Sequence, residues 1–212
     1  NDPVDIYGVE PLGKGHKLGD HAASLQYGTE GVMHGFNSLM LKDENGDPAY
    51  TASVLIGKRK NGRYIVADVI NRRLSSSDVR EIIRQTCISD RTKYGRVVTR
   101  LPQDPGQAGK AQAQSFLKFL AGFIVKCIPE SGDKITRAEP FSAQWLGLEG
   151  MDKGNVDILV APWNEEYFNE CENFPQSKFK DMVDASSSAF TELESGNTTT
   201  APSSLPDTRD SY

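Results

Sequence analysis

The strongest constraint in the sequence lies between residues 50 and 70. YTASVLIGK (residues 50–58) and RYIVADVI (residues 63–70) are rich in β-branched and aromatic residues, the composition of half-buried strands. Lys60-Asn61-Gly62 separates them, and Asn-Gly provides the backbone freedom that a tight hairpin turn requires. A two-stranded hairpin is marginal alone in water, so the remainder of the chain must cover it.

Downstream of the hairpin, helical and strand patterns alternate. Ser75-Ser76-Ser77-Asp78 reads as a helix N-cap before VREIIRQTC, with Val79, Ile82, Ile83 and Cys87 on one face. RVVTRL (residues 96–101) reads as a buried strand, ended by PQDPGQAG. KAQAQSFLKFLAGF (residues 110–123) predicts a helix, FIVKCI a strand and SGDK a turn. ITRAEPFSAQWLGLEG reads as helical after Pro140, NVDILV (residues 155–160) as a strand, NEEYFNECENF as a helix, and KDMVDASSSAFTEL (residues 180–193) as the last helix. The first fifty residues have no clear period, and Gly28, Gly31 and Gly35 suggest loops. From Glu194 the composition collapses to Ser, Thr, Pro, Asp and Gly, which predicts a disordered tail over 194–212. A hairpin succeeded by alternating helices and strands gives an α/β domain with a mixed sheet. That order is compatible with a ribonuclease H-like architecture without singling it out.

Composition excludes several classes. No window approaches eighteen consecutive apolar residues, so no transmembrane helix and no membrane partner are expected. The three cysteines, Cys87, Cys127 and Cys171, lack metal-ligand spacing and predict core thiols in a reducing compartment, not a disulfide scaffold. The formal net charge of −5 speaks at first against a nucleic-acid partner. Its distribution changes that inference. Residues 92–140 hold eight Lys/Arg (93, 96, 100, 110, 118, 126, 134, 137) against the four acids 104, 130, 133 and 139, whereas residues 191–212 are acidic.

Four local patterns bear on chemistry. GVEPLGKG (residues 8–15) nearly fits a phosphate-binding loop but ends on Gly15, where a hydroxyl would hold Mg²⁺, so a flexible lead-in over 1–16 is expected. GQAGK (residues 106–110) lacks that spacing, yet its strand–loop–helix setting offers a helix N-terminus to a phosphate. Asp104 directly follows an apolar strand, where ligands bind in parallel α/β sheets, although Asp-Pro-Gly is also plain turn sequence. Asp181 and Asp184 share one helix face. Two such carboxylates repel and favour a divalent cation between them, while a helix N-terminus also attracts acidic residues with no ligand at all. Asp20, in KLGDHAAS, reads as a carboxylate at a strand end, and neighbouring His21, like His16 and His34, lacks convincing ligand spacing.

These residues together resemble the C-terminal nuclease domain of tailed-phage and prophage large terminases, over roughly residues 17–193. DHAAS (residues 20–24) resembles that family's first-strand motif, DPAYTASVLIGKRKNGRYIVADVINRR its hairpin, and PQDPGQAGKAQAQ the loop after its fourth strand. GDKITRAEPFSAQ, WNEEYFNECENFP and FKDMVDASSSAF resemble its last third in the same order. The resemblance implies a ribonuclease H-like mixed β-sheet flanked by helices, carrying aspartates that bind two Mg²⁺ or Mn²⁺ ions. It maps the catalytic and metal-binding carboxylates onto Asp20, Asp104, Asp181 and Asp184, with Asp43 and Asp47 as alternatives to Asp20. Phe179 and Lys180 replace the His and first Asp of the family's last-helix motif, and Gly19 stands where the family often has Trp. Lys110, Lys134 and Arg137 are candidates for contacting DNA phosphate, the last two alternatively for bracing the site. The implied activity is metal-dependent cleavage of concatemeric double-stranded DNA in the host cytoplasm during packaging. The motor ATPase, the small terminase subunit and the portal protein are implied as partners outside this chain. A junction resolvase, an RNA–DNA hybrid nuclease and a non-catalytic docking module are the alternative readings.

Overall fold

The computed structural model describes residues 29–36, 50–59, 61–147 and 154–196. Among the described residues, six strands form one mixed sheet: β1 (Thr29–Phe36), β2 (Tyr50–Arg59), β3 (Tyr64–Arg73), β4 (Val98–Gln103), β5 (Ile124–Pro129) and β6 (Val156–Ile158). Five helices among the described residues accompany it: α1 (Ser76–Tyr94), α2 (Gly106–Phe119), α3 (Lys134–Leu146), α4 (Asn164–Asn173) and α5 (Asp181–Gly196). The spatial strand order is β5-β4-β1-β2-β3-β6. β1, β2 and β3 form an antiparallel meander, and β4, β5 and β6 join in parallel. This is an α/β, ribonuclease H-like mixed sheet flanked by helices.

The hairpin forms as its sequence predicts. Gly62, at φ +83°, donates its N–H to the Arg59 carbonyl at 2.9 Å, and the Asn61 side chain accepts from the Arg63 N–H at 3.1 Å. Side chains alternate between the two faces of the sheet. Ala52, Val54, Ile56, Tyr64, Val66 and Val98 point to one face and pack against Phe141 of α3, Tyr167 of α4 and Met182, Ala185, Ala189, Phe190 and Leu193 of α5. On the opposite face Phe36 and Leu101 meet Val79, Ile83 and Cys87 of α1 and Phe116 of α2. Ser75 caps α1 as expected, accepting the Asp78 N–H at 3.3 Å.

Three expectations are corrected. Gly31 and Gly35 are not in loops; both lie in β1, a central strand. The reason at Gly35 is close packing. A Cβ there would stand 2.6 Å from both the Ala185 carbonyl oxygen and the Ala189 nitrogen, so only glycine lets α5 lie directly on β1. Second, the helix expected after Pro140 begins at Lys134, capped by Asp133, and runs through Pro140, which is exposed. Third, α5 continues through Gly196, past the expected start of the tail. The cysteines are free, with Cys87 buried and Cys127 and Cys171 half-buried.

Candidate active site

The site is built where the first turns of α3 and α5 meet beside the C-terminal ends of β4 and β5. Asp133 caps α3 by accepting the Thr136 N–H at 2.8 Å, which aims the first turn. Lys134 and Arg137, three residues apart, share a face of that turn. Both are cations at the positive end of a helix, the unfavourable sign for the macrodipole. The compensation comes from α5, whose first turn carries Asp181 and Asp184.

The pairing is specific by oxygen atom. Arg137 Nε and Nη2 donate to Asp184 Oδ1 at 3.1 and 2.7 Å. Lys134 Nζ donates to Asp181 Oδ1 at 2.8 Å and stands 3.6 Å from Asp184 Oδ2. The Asp184 side chain is only 2% exposed, so its charge depends on these two partners. Burial alone would pull the Lys134 ammonium down, but Asp181 and Asp184 outweigh it and hold the group above the ordinary lysine value.

A third carboxylate joins from the sheet. Glu130 directly follows β5 and meets Arg137 Nε at 2.9 Å and Arg100 Nη2 at 3.3 Å. Burial pushes the Glu130 carboxyl above its usual value, against the pull of the two arginines. Arg100, buried in the middle of β4, also donates to the Ser188 carbonyl of α5 at 2.9 Å. The network therefore sets Glu130, Asp181 and Asp184 against Arg100, Lys134 and Arg137.

Glu170 of α4 fixes the geometry from the other side. Its Oε1 accepts the Val183 N–H at 2.8 Å, satisfying one of the unpaired donors in the first turn of α5. Glu170 is 5% exposed, and burial raises its carboxyl from 4.5 to about 7. Within α5, Ser186 and Ser187 bond back to the Met182 and Val183 carbonyls at 2.8 Å each, so the small hydroxyls are satisfied inside the helix.

Asp104 follows β4 directly and is exposed. Gln103 pairs with Pro129, so Asp104 and Glu130 are the next residues on two adjacent parallel strands. Gly109 lies close against that end: a Cβ on it would come 1.9 Å from the Asp104 carbonyl oxygen. Among the described residues, Asp104 takes no part in the ion-pair network. Lys110 lies exposed on α2. Asp20, Asp43 and Asp47, with His16 and His21, lie outside the described residues. β1, TEGVMHGF, has a central place in the sheet and contains no aspartate.

The chain is similar to known proteins over much of its length. Residues 42–193 match the terminase RNaseH-like domain family. The chain belongs to that family. As an RNase H-like terminase domain it is of nuclease type, and its matched region begins after Asp20. Among solved structures, Thermus thermophilus RuvC in complex with a Holliday junction substrate is similar, with a TM-score of 0.39 and 11% identity, covering 79% of this chain and 96% of that one. A second, short similarity is of another kind. The tryptophan synthase beta chain of Clostridium botulinum (strain Eklund 17B / Type B) is 68% identical over 56 residues, which is 26% of this chain and 14% of that protein. Tryptophan synthase beta chain 1 of Wolinella succinogenes is 67% identical over 57 residues, again 14% of its length. The chain thus spans a small part of these curated relatives.

RNase H-like nucleases generally use divalent metals, and the donor chemistry here fits one. Asp181 and Asp184 offer hard oxygens and already enclose a cation, the Lys134 ammonium. Mg²⁺ is commonly held by one or two carboxylates plus water and substrate phosphate. Among the described residues, no group of three His, Cys, Asp or Glu converges closely enough to hold a metal ion by itself. Sequence reasoning passed over Glu130 and Arg100. An arginine inside the apolar run RVVTRL was the available signal for Arg100, and the strand-end position shared with Asp104 was the signal for Glu130.

Proposed function

We propose that this domain is a metal-dependent endonuclease of a viral large terminase, hydrolysing phosphodiester bonds of concatemeric double-stranded DNA during genome packaging in the host cytoplasm. The observation that carries the reading is the Asp181–Asp184 pair, set around a cation on the first turn of α5 in a domain of the terminase RNaseH-like family. The family's partners belong to the same proposal: duplex DNA, the terminase ATPase domain, the small subunit and the portal protein.

Asp181 and Asp184 would hold Mg²⁺ or Mn²⁺, with Asp104 supplying a further carboxylate from the end of β4 and Asp20 one from the N-terminal segment. When bound, such ions lend Lewis acidity to the attacking water and to the leaving oxygen. The chain's own residues do the positioning. Arg137 holds Asp184 in one rotamer through two hydrogen bonds to Oδ1, leaving Oδ2 turned toward Lys134. Glu170 holds the turn that carries both aspartates. Glu130 keeps Arg137 in place.

Cleavage of linear duplex DNA in Mn²⁺ tests the reading. Asp104→Ala and Asp181→Ala should each lose cutting while the protein stays folded by circular dichroism. Equal cutting by wild type and either variant overturns the assignment.

A further inference from the structure

Resting on the reading of Asp181 and Asp184 as cation ligands, we infer that Lys134 is an exchangeable internal counter-ion that competes with a divalent cation for this pair, while Arg137 stays fixed. The division of oxygen atoms carries the inference. Arg137 uses Asp184 Oδ1, whereas Lys134 covers Asp184 Oδ2 and Asp181 Oδ1. Withdrawing Lys134 alone therefore frees one oxygen from each aspartate.

The two cations differ in how readily they can leave. The Lys134 side chain is 38% exposed and makes its closest contact with Asp181, itself 21% exposed. Its flexible stem swings into water without disturbing the core. Arg137 also donates to the Gly132 carbonyl at 2.7 Å and stands 2.9 Å from Glu130 as an ion pair, so its departure would cost a further hydrogen bond and a second countercharge. Lys134 is moreover the first residue of α3, where the helix dipole repels a cation and, among the described residues, Asp181 and Asp184 hold it. An ammonium and a divalent ion cannot share these two oxygens, because like charges at that separation repel strongly.

Loading the site consequently releases an ammonium at the edge of the sheet where the proposed substrate's phosphates approach. Cation binding and phosphate binding are then coupled, and the coupling is reciprocal.

Titration calorimetry of the full 212-residue chain with MnCl₂ at low salt tests this. Lys134→Met keeps the stem and removes the charge; it should bind Mn²⁺ about three- to fivefold more tightly than wild type, the range expected for losing a half-exposed ion-pair competitor. Lys134→Arg should bind no more tightly than wild type. If Lys134→Met fails to fold, Lys134→Gln makes the same comparison. Binding that is unchanged or weakened in the neutral variant, relative to wild type, overturns the counter-ion role while leaving the metal site standing. No binding by any of the proteins overturns the metal reading and this inference together.

Discussion

Arg137→Met removes the guanidinium that pairs with the buried Asp184. The substitution keeps an apolar stem of similar reach and deletes the guanidinium. Asp184 would be left 2% exposed, having lost hydrogen bonds of 2.7 and 3.1 Å, with Lys134 at 3.6 Å as its remaining cation among the described residues. Breaking a buried ion pair from one side costs about 3–5 kcal/mol. Lys134 remains nearby and Arg137 is 20% exposed, so about 2–3 kcal/mol is the appropriate expectation here. Equilibrium urea unfolding at neutral pH measures it. A double-mutant cycle separates the pair from general damage. Adding Asp184→Asn to Arg137→Met removes the stranded charge, so the two changes together should cost about 1.5 kcal/mol less than their sum. Additive behaviour, or a single-variant loss below about 0.5 kcal/mol, would show that the Asp184 charge is solvated and would refute the reasoning.

Two further outcomes are expected. Burial lifts the Glu170 carboxyl from 4.5 to about 7, so between those values the folded protein holds a proton that the unfolded chain has released. Its contribution to stability falls as pH rises through that window, on the order of 2–3 kcal/mol in all. Glu170→Gln should therefore gain on wild type as pH rises from about 4.5 to about 7, with urea midpoints as the measure; a constant difference across that range contradicts the assignment. At β1, Gly35→Ala would place a methyl 2.6 Å from the backbone of Ala185 and Ala189. Pushing α5 off the sheet should cost on the order of 1–3 kcal/mol and lower the thermal midpoint, and an unchanged midpoint refutes close packing there.

Local chemistry made much of the fold legible. The Asn-Gly turn, the Ser75 cap and the apolar spacing of Val79, Ile83 and Cys87 each name their own element without long-range information. β1 was hidden for the opposite reason. Gly31 and Gly35 weaken the strand signal, and Gly35 is present because α5 presses on it, a contact between segments at opposite ends of the domain's sequence. Pro140 misled in a similar way: an exposed proline in a helix held by tertiary contacts does not end it. At the site, the i,i+3 spacing announced Asp181 and Asp184 as a pair. Their partners on α3 came from elsewhere in the sequence, so spacing left Lys134 and Arg137 open between DNA contact and bracing.

The geometry also revises what the basic stretch of residues 92–140 does. Arg100, Lys134 and Arg137 face Glu130, Asp181 and Asp184, and Lys126 pairs with Glu192 of α5. Half of the eight cations in that stretch are therefore engaged by carboxylates of the same domain. Lys93, Arg96, Lys110 and Lys118 remain exposed, distributed over α1, α2 and the lead into β4. The salt dependence of DNA binding counts phosphates neutralised, so these four alone would contribute a shallow slope, beside the exposed Arg72, Arg73, Arg84 and Arg91 outside the stretch. A sequence-level excess of basic residues thus overstates the electrostatic attraction. At the Asp181–Asp184 pair of the proposed nuclease, exchange of Lys134 for a divalent ion would raise the positive charge only once the site is loaded.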